Sequence, residues 1–96
     1  RLYLSGMLGV SDETRTDTQA QARQTLATIG RTLDAAGFGI DDLVDGVVYL
    51  TDMSEWGEMN VAYREAITSN FPARAAVGTG LMSGDGRVEI MFTAVR

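Results

Sequence analysis

A single proline separates two patterns in the last third of this 96-residue chain. A helical pattern runs up to Pro72, and alternating small and branched residues follow it as a strand pattern. Proline has no amide hydrogen for a helix and biases the residue before it toward extended geometry, but it fits as the first residue of a strand. Pro72 is therefore predicted to end a helix, and Arg74 to open a strand. Flanked by small residues, Arg74 is either a solvated strand end or the anion anchor of a pocket.

Hydrophobic spacing predicts four strands and two helices around this point. The first helix has a threonine at Thr16 and a glutamine three residues later, which fits a capping box. The predicted elements are, in order, a strand at Leu2–Leu8, a helix at Asp17–Ala36, a strand at Asp41–Thr51, a helix that begins after Asp52 or Ser54 and ends at Pro72, a strand at Ala73–Met82 and a strand at Val88–Val95. The 96 residues form one domain.

Right-handed strand–helix–strand crossovers that step the same way place both helices on one face of the sheet. The predicted buried residues are Ala22, Leu26, Ile29, Leu33 and Ala36 on the first helix, Trp56, Met59, Tyr63 and Ile67 on the second, Val44, Gly46, Val48 and Leu50 on the second strand, and Val88, Ile90, Phe92 and Ala94 on the last. The fold class is α+β, with the order β-α-β-α-β-β. The other face, with Val47, Tyr49, Met91 and Val95, is too apolar for water, so we expect an obligate oligomer.

The composition excludes several kinds of chemistry. The chain has no cysteine and no histidine, and all eight basic residues are arginine. Thiolate nucleophiles, Ser-His-Asp triads, Schiff-base lysines and most zinc sites are therefore absent. With a net charge of −5 and no basic cluster, nucleic acid and anionic membranes are poor partners. Carboxylates, arginines and hydroxyls remain, which suits anion binding and proton transfer through water, and the cytoplasm is the expected location.

Short motifs in order along essentially the whole chain resemble the Rid (YjgF-like) family of enamine/imine deaminases. The motifs are Leu4-Ser5-Gly6, Gln21–Leu26, Leu33–Gly37, Asp41–Val44, Val48–Met53, Asn60–Tyr63, Phe71-Pro72-Ala73-Arg74 and Val88-Glu89-Ile90. The resemblance implies a chorismate-mutase-like mixed sheet in a homotrimer, with a pocket at each subunit interface. It implies hydrolysis of 2-aminoacrylate-type enamines and imines to 2-keto acids and ammonia, without metal or organic cofactor.

The resemblance also implies roles for particular residues. Arg74 would pair with the substrate carboxylate, and Glu89, Ser5 with its neighbour Gly6, and Asn60 would approach the pocket. A planar guanidinium matches a carboxylate with two parallel hydrogen bonds. Glu89 is the candidate for ordering water and passing protons. Independently of the family, Gly6 inside a strand indicates a bulge or a close backbone approach.

The predicted topology separates these residues within one chain. In the family's sheet the last strand runs antiparallel to the first three. Arg74 opens its strand, whereas Ser5 lies toward the end of the first strand and Glu89 near the start of the last. Arg74 should therefore lie at the opposite end of the sheet from the other two, and a small ligand could contact all three only across a subunit interface.

The chain departs from the family pattern at several points. Family members usually carry an upstream Gly-Pro-Tyr-Ser segment whose tyrosine reaches the pocket, and this chain, which opens on Arg1 without an initiator methionine, is expected to be a fragment that lacks that strand segment. Many members have a cysteine where this sequence has Ala76 and a glutamine where it has Met7. Ala76 in the substrate pocket leaves space for a bulkier substrate, so a pathway-specific imine is as plausible as 2-aminoacrylate.

Each assignment has a simpler alternative. Ser5 could only satisfy backbone groups, Asn60 could be a polar rim residue, and Glu89 could be an interface ion-pair partner. Trp56, Tyr63 and the methionines are assigned to packing, and the acidic residues Asp12, Glu13, Asp41, Asp42 and Asp45 to solvated loops and strand starts, with no metal. The alternative function is a non-catalytic trimer that binds a small carboxylate. Family members have also been described as ribonucleases or translation inhibitors, but the acidic balance and the lack of histidine argue against RNA cleavage.

Overall fold

Strands and helices alternate along the chain in the computed structural model, which describes residues 1–96. The elements are β1 (Leu2–Met7), α1 (Thr18–Ala35), β2 (Leu43–Leu50), α2 (Trp56–Ala66), β3 (Ala73–Gly78) and β4 (Val88–Ala94), with short 3-10 turns at Ile40–Asp42 and Met53–Glu55. The order β-α-β-α-β-β and the α+β class are therefore confirmed. Neither helix has the length and apolarity needed to cross a membrane.

The four strands form one mixed sheet in the order β1-β4-β2-β3. β4 pairs antiparallel with both β1 and β2, whereas β2 and β3 are parallel. The first three strands therefore run in one direction and β4 runs against them, as predicted. β1 and β3 are the edges of the sheet, which matters because Ser5 lies on one edge and Arg74 on the other.

The core lies between one face of the sheet and the two helices. Val88, Ile90, Phe92 and Ala94 alternate along β4 and are buried, as predicted from the period of two. Ile29 and Leu33 of α1 and Met59 of α2 are fully buried against them. Burying one such side chain stabilises the fold by roughly 1.5–3 kcal/mol. The opposite face of the sheet carries no helix, and Tyr3, Val77, Met91 and Val95 are exposed.

The start of α1 differs from the prediction. Asp17, not Thr16, is the cap residue, and its carboxylate accepts a hydrogen bond from the Ala20 amide. Asp17 has extended backbone geometry, as a cap requires, whereas Thr16 has a φ of 62°. At the other end Ala36 is the exposed cap residue and does not join the buried stripe. Asp52 does act as a cap, but for the 3-10 turn before α2, where it accepts from the Ser54 amide.

The end of α2 was also predicted too late. The helix ends at Ala66, and Ile67 is already extended, which places its side chain in the core with 1% exposure. Asn70 adopts a left-handed φ of 50° in the connection that follows, so Pro72 orients the entry to β3 without ending the helix. β3 ends at Gly78 and not at Met82. Gly78 pairs with Leu50, the last residue of β2, so no partner strand continues beyond it.

Besides Ala36, two more residues predicted to be buried are exposed. The β2–β4 register shifts between Leu43 and Asp45, so Leu43 is buried and Val44 is 45% exposed. A bulge adds one residue to a strand, so the side chains before it lie on the opposite face of the sheet from the one that simple alternation predicts. Trp56 is 39% exposed at the start of α2. Its side chain lies near Arg74 at the edge of the sheet, outside the core.

Candidate functional site

The predicted site residues form two groups on opposite faces of the sheet. Arg74 pairs with Gly46 of β2 and its side chain reaches α2, so it lies on the helix face. Glu89 pairs with Tyr49 of β2 and alternates with buried core residues, so it lies on the open face. Gly46 and Tyr49 are three residues apart, which corresponds to about 10 Å along a strand. Within one chain, Arg74 and Glu89 therefore lie on opposite faces of the sheet and at positions three residues apart along the strand direction.

The first group is built around Arg74 of β3, whose side chain contacts α2. Its Nη1 donates a 2.8 Å hydrogen bond to Asn60 Oδ1. Its guanidinium carbon lies 4.3 Å from the centroid of the Tyr63 ring and 5.6 Å from that of Trp56. These three contacts come from positions four and three residues apart on α2, which share one face of a helix. We call Arg74, Trp56, Asn60 and Tyr63 the arginine cradle.

No carboxylate of the chain neutralises Arg74. The ion pairs of the structure join Arg15 to Asp12 and Asp85, and Arg23 to Glu65. Arg74 has instead a neutral amide and two aromatic faces as neighbours. The residue is partly buried, so its charge is less screened than that of a surface arginine. The cradle therefore presents an uncompensated positive charge in a protein whose net charge is −5.

A cleft opens beside the cradle. It has a volume of about 460 Å³ and is lined by Asn60, Tyr63, Arg64, Phe71, Pro72 and Arg74. That volume lies in the range of small-molecule sites. Two arginines and no carboxylate line it, so its walls favour an anion. The extended residues around Pro72 form one wall, and α2 forms the other.

Tyr63 is the buried member of the cradle. The residue is 5% exposed, and its hydroxyl finds no hydrogen-bond partner in the chain. Burial raises the pKa of this hydroxyl, and the positive charge of Arg74 opposes that shift without cancelling it. Tyr63 is therefore a neutral phenol at physiological pH. Its ring also meets Phe92 of β4 at a centroid distance of 6.3 Å, which connects the cradle to the core.

Ala76 follows Arg74 on the same face of β3, opposite Val48. It is half-buried, and Gly78 comes two residues later. A Cβ at Gly78 would lie 2.8 Å from Met53 Cγ, so the methionine side chain closes this row of small residues. After Arg74, the helix-facing side of β3 therefore carries only an alanine and a glycine. That Ala76 lines the substrate pocket and leaves space there for a bulkier substrate stays a prediction.

The second group contains Glu89 and Gly6. The β1–β4 register shifts between Leu4 and Met7, so Gly6 lies in a bulge. A Cβ at Gly6 would overlap the Glu89 carboxylate and lie 2.7 Å from its Cδ. The bulge predicted at Gly6 is therefore confirmed, and the group that approaches it closely is the Glu89 side chain and not a backbone segment. Ser5 is next to it, exposed, and its hydroxyl makes no hydrogen bond within the chain.

A buried glutamine holds the chain just before Glu89. Gln21 of α1 is fully buried and donates from Nε2 to the Thr14 and Asp85 carbonyls. Its Oε1 accepts a 2.7 Å hydrogen bond from the Arg87 amide. Both donor hydrogens of the side-chain amide and one acceptor position of its oxygen are therefore used on backbone groups. Gln21 therefore ties the start of β4 to α1, and so fixes the position of Glu89, two residues after Arg87.

A second cleft lies over Glu89 on the open face. Its volume is about 280 Å³, and it is lined by Tyr49, Thr79, Gly80, Leu81, Met82, Glu89 and Met91. Met82 is fully exposed at its rim. No hydrogen bond from the chain reaches the Glu89 carboxylate, and no group of acidic residues is assembled that could hold a metal ion. The carboxylate is thus free to accept a proton or to order water.

The structure brings Asn60 to Arg74 and Gly6 to Glu89, but it does not bring the two groups together in one chain. It also adds Trp56 and Tyr63, which sequence reasoning had assigned to packing. The available signal was spacing, since Trp56, Asn60 and Tyr63 recur at four and three residues on one helix face. That pattern does not by itself indicate which face meets Arg74.

Comparisons with known proteins found a matching family model, related proteins and similar solved structures. The family model described as Endoribonuclease L-PSP matches residues 1–96. A 2-iminobutanoate/2-iminopropanoate deaminase from Bos taurus is 34% identical over 99 residues, covering 99% of this chain and 72% of the relative. The crystal structure of a YjgF family member from Neisseria meningitidis is 37% identical with a TM-score of 0.88, covering 98% of this chain and 77% of that one. The structure of E. coli TdcF with bound serine is 28% identical with a TM-score of 0.87, covering 98% and 79%.

Proposed function

Because the chain belongs to the endoribonuclease L-PSP (YjgF, Rid) family, which includes relatives named 2-iminobutanoate/2-iminopropanoate deaminases, we propose that it hydrolyses enamines or imines of small 2-oxo acids to the keto acid and ammonia. The reaction takes place in a pocket to which two subunits contribute. The substrate is of the 2-aminoacrylate type or a bulkier pathway-specific imine. No metal or organic cofactor takes part.

The observation that carries the proposal is the unpaired Arg74. Its guanidinium is held by Asn60 and by two aromatic faces, and the chain supplies no anion for it. A guanidinium of fixed orientation matches a carboxylate with two parallel hydrogen bonds. The cleft beside it has room for a small 2-imino acid. The ligand carboxylate would supply the charge that Arg74 lacks.

Hydrolysis of the imine needs few catalytic groups besides Arg74. Protonation of an enamine by solvent at its terminal carbon gives the protonated imine (an iminium ion), whose carbon is electrophilic enough for water. Glu89 takes a proton as water adds to that carbon, forming the carbon–oxygen bond of a carbinolamine. It then returns that proton to nitrogen. As the carbon–nitrogen bond breaks and ammonia leaves, the carbinolamine hydroxyl releases its proton to solvent and becomes the carbonyl of the keto acid. A positioned carboxylate can carry out such transfers, so histidine, lysine and cysteine are not needed.

The separation of Arg74 and Glu89 supports a site shared between subunits. They lie on opposite faces of the sheet, and Arg74 is on the edge strand β3. The open face around Glu89 exposes the apolar side chains Tyr3, Val77, Met91 and Val95. An exposed apolar sheet face is a candidate protein interface. We infer a homotrimer in which Arg74 of one subunit and Glu89 of its neighbour contact the same ligand.

The first test measures ammonia and keto-acid release from 2-aminoacrylate, which a serine dehydratase generates in situ. Wild type is compared with Arg74→Ala and with Arg31→Ala, an exposed α1 residue whose loss removes the same charge. We expect wild type and Arg31→Ala to accelerate release, and Arg74→Ala to lose at least about thirtyfold, since removing one partner of a desolvated charge pair costs about 2–5 kcal/mol. Equal acceleration by Arg74→Ala would contradict the anchor role.

A second candidate function is supported by the same separation. The arginine cradle is complete within one chain, so a subunit could bind a small carboxylate without any contribution from Glu89. A binding or regulatory trimer would then show carboxylate binding that requires Arg74, but no turnover. The release assay separates the two functions, because only the deaminase accelerates ammonia formation.

A further inference from the structure

Arg74 touches a buried aromatic ring. The Tyr63 ring centroid lies 4.3 Å from the guanidinium carbon, and Tyr63 is 5% exposed. Trp56, the other aromatic neighbour, lies farther away at 5.6 Å and is 39% exposed. The two therefore differ in rigidity, because a side chain packed in the core has little freedom to change rotamer. Tyr63 is the fixed surface against which the guanidinium rests.

The ring, and not the hydroxyl, makes this contact. The hydroxyl is buried and has no hydrogen-bond partner in the chain. The same ring also forms a tilted pair with Phe92 of β4, with the two ring centroids 6.3 Å apart. A phenylalanine would keep both ring contacts. The chain thus allows the ring and the hydroxyl to be tested separately.

We propose that Tyr63 is a positioning residue that acts through Arg74: its ring holds the guanidinium toward the cleft and raises the affinity of Arg74 for a carboxylate. This proposal rests on the proposed function, since it takes Arg74 to be the anion anchor. Asn60 holds one nitrogen of the group, and the Tyr63 ring supports its plane. An arginine held in this way loses little further freedom when it binds.

The expected size of the effect follows from the contact. Cation–π interactions of partly desolvated groups change an equilibrium constant by roughly threefold to thirtyfold. We therefore expect Tyr63→Leu to weaken binding of pyruvate, used as the carboxylate probe, by about tenfold. Because Tyr63 does not touch the reacting atoms in this scheme, KM for the imine should rise while kcat changes little.

The experiment uses the intact oligomer of wild type, Tyr63→Leu, Tyr63→Phe and Phe92→Leu. Pyruvate affinity is measured by calorimetry, and the Arg74 side-chain Nε–H signal, assigned from its loss in Arg74→Ala, is followed by NMR. The conservative variant Tyr63→Phe should rescue both the affinity and the ring-current shift of that signal. Phe92→Leu removes a neighbouring core ring that does not touch Arg74, so it should lower stability yet keep both readouts.

The outcomes separate this proposal from the proposed function. If wild type binds pyruvate, Arg74→Ala does not, and Tyr63→Leu binds as wild type does, the positioning role is wrong and the anchor role stands. If Phe92→Leu weakens binding as much as Tyr63→Leu, or Tyr63→Phe fails to rescue, the ring contact is not the cause and the proposal falls. If wild type binds no carboxylate, the anchor role fails and the positioning role fails with it.

Discussion

The arginine cradle and the surroundings of Glu89 differ in how completely one chain builds them. Arg74 has a hydrogen bond, two aromatic neighbours and a cleft whose walls come from the same subunit. Glu89 lies over a glycine on an open, apolar face, and its carboxylate receives no hydrogen bond from the chain. The contacts of the first region are complete within one chain, whereas the second lies on a face that the proposed neighbouring subunit would cover. Binding and turnover should therefore respond to different substitutions.

The largest effect that tests this contrast is expected at Glu89. Glu89→Gln keeps the size of the side chain but removes the proton acceptor, and losing a general base typically costs 10²–10⁴ in rate. We expect kcat for imine hydrolysis to fall by at least about a hundredfold, with pyruvate affinity at Arg74 unchanged. Steady-state kinetics and calorimetry on the same preparation measure the two quantities.

The matched control for this substitution is Glu13→Gln, which removes the same charge from an exposed loop residue. It should leave both quantities at wild-type values. A Glu89→Gln protein that lost pyruvate binding together with turnover would contradict the division between the two regions. One that kept full turnover would remove Glu89 from the mechanism.

Mixing two inactive variants tests whether the regions meet across an interface. When Arg74→Ala and Glu89→Gln subunits are unfolded together in equal amounts and refolded, half of the subunits keep Arg74 and half of their neighbours keep Glu89. Random assembly should therefore restore roughly a quarter of wild-type activity in a cyclic oligomer. Ammonia release from the mixture measures the recovery, and the separately refolded variants are the control.

A mixture no more active than the two variants alone would place Arg74 and Glu89 in sites of a single chain, which the strand order does not allow without rearrangement. Recovery of activity would also show that the subunits assemble into an oligomer. Light scattering on the same sample gives the subunit number, so a dimer or a larger ring would be distinguished from the proposed trimer.

Much of the fold could be predicted because its signals are local. The alternation along Val88–Ala94 and the stripe of Ala22, Leu26, Ile29 and Leu33 depend only on the periods of a strand and a helix. The bulge at Gly6 was predictable for a similar reason, since a glycine within a strand pattern marks such a position. The direction of β4, antiparallel to the other three strands, was predicted from the family resemblance.

The errors arose where distant segments decide the geometry. The exposure of Val44 depends on a register shift between β2 and β4, which neither strand encodes alone. α2 ends at Ala66 because the core accepts Ile67 in an extended conformation, although Pro72 is the stronger local stop signal. The contact of Tyr63 with Arg74 joins a helix to an edge strand, so helical spacing alone could not separate it from ordinary packing.

The smallest effect is expected from Gly6→Ala, which reaches Glu89 without altering its chemistry. The new methyl group would overlap the Glu89 carboxylate, which is the free end of a flexible side chain and can move aside. The fold should therefore persist while the carboxylate is displaced, and turnover should fall by about tenfold because catalysis is sensitive to misplacements near 1 Å. Pyruvate affinity should stay at the wild-type value, since Arg74 lies on the other face.

Gly30→Ala is the matched control, because nothing lies within 4 Å of the added methyl group in the middle of α1. It should keep full turnover and raise stability by about 0.5–1 kcal/mol, as alanine replaces glycine in a helix. Kinetics, calorimetry and thermal unfolding of both variants give the comparison. If Gly6→Ala kept wild-type turnover, the position of Glu89 above β1 would not matter, and the active carboxylate would have to be sought elsewhere on the open face.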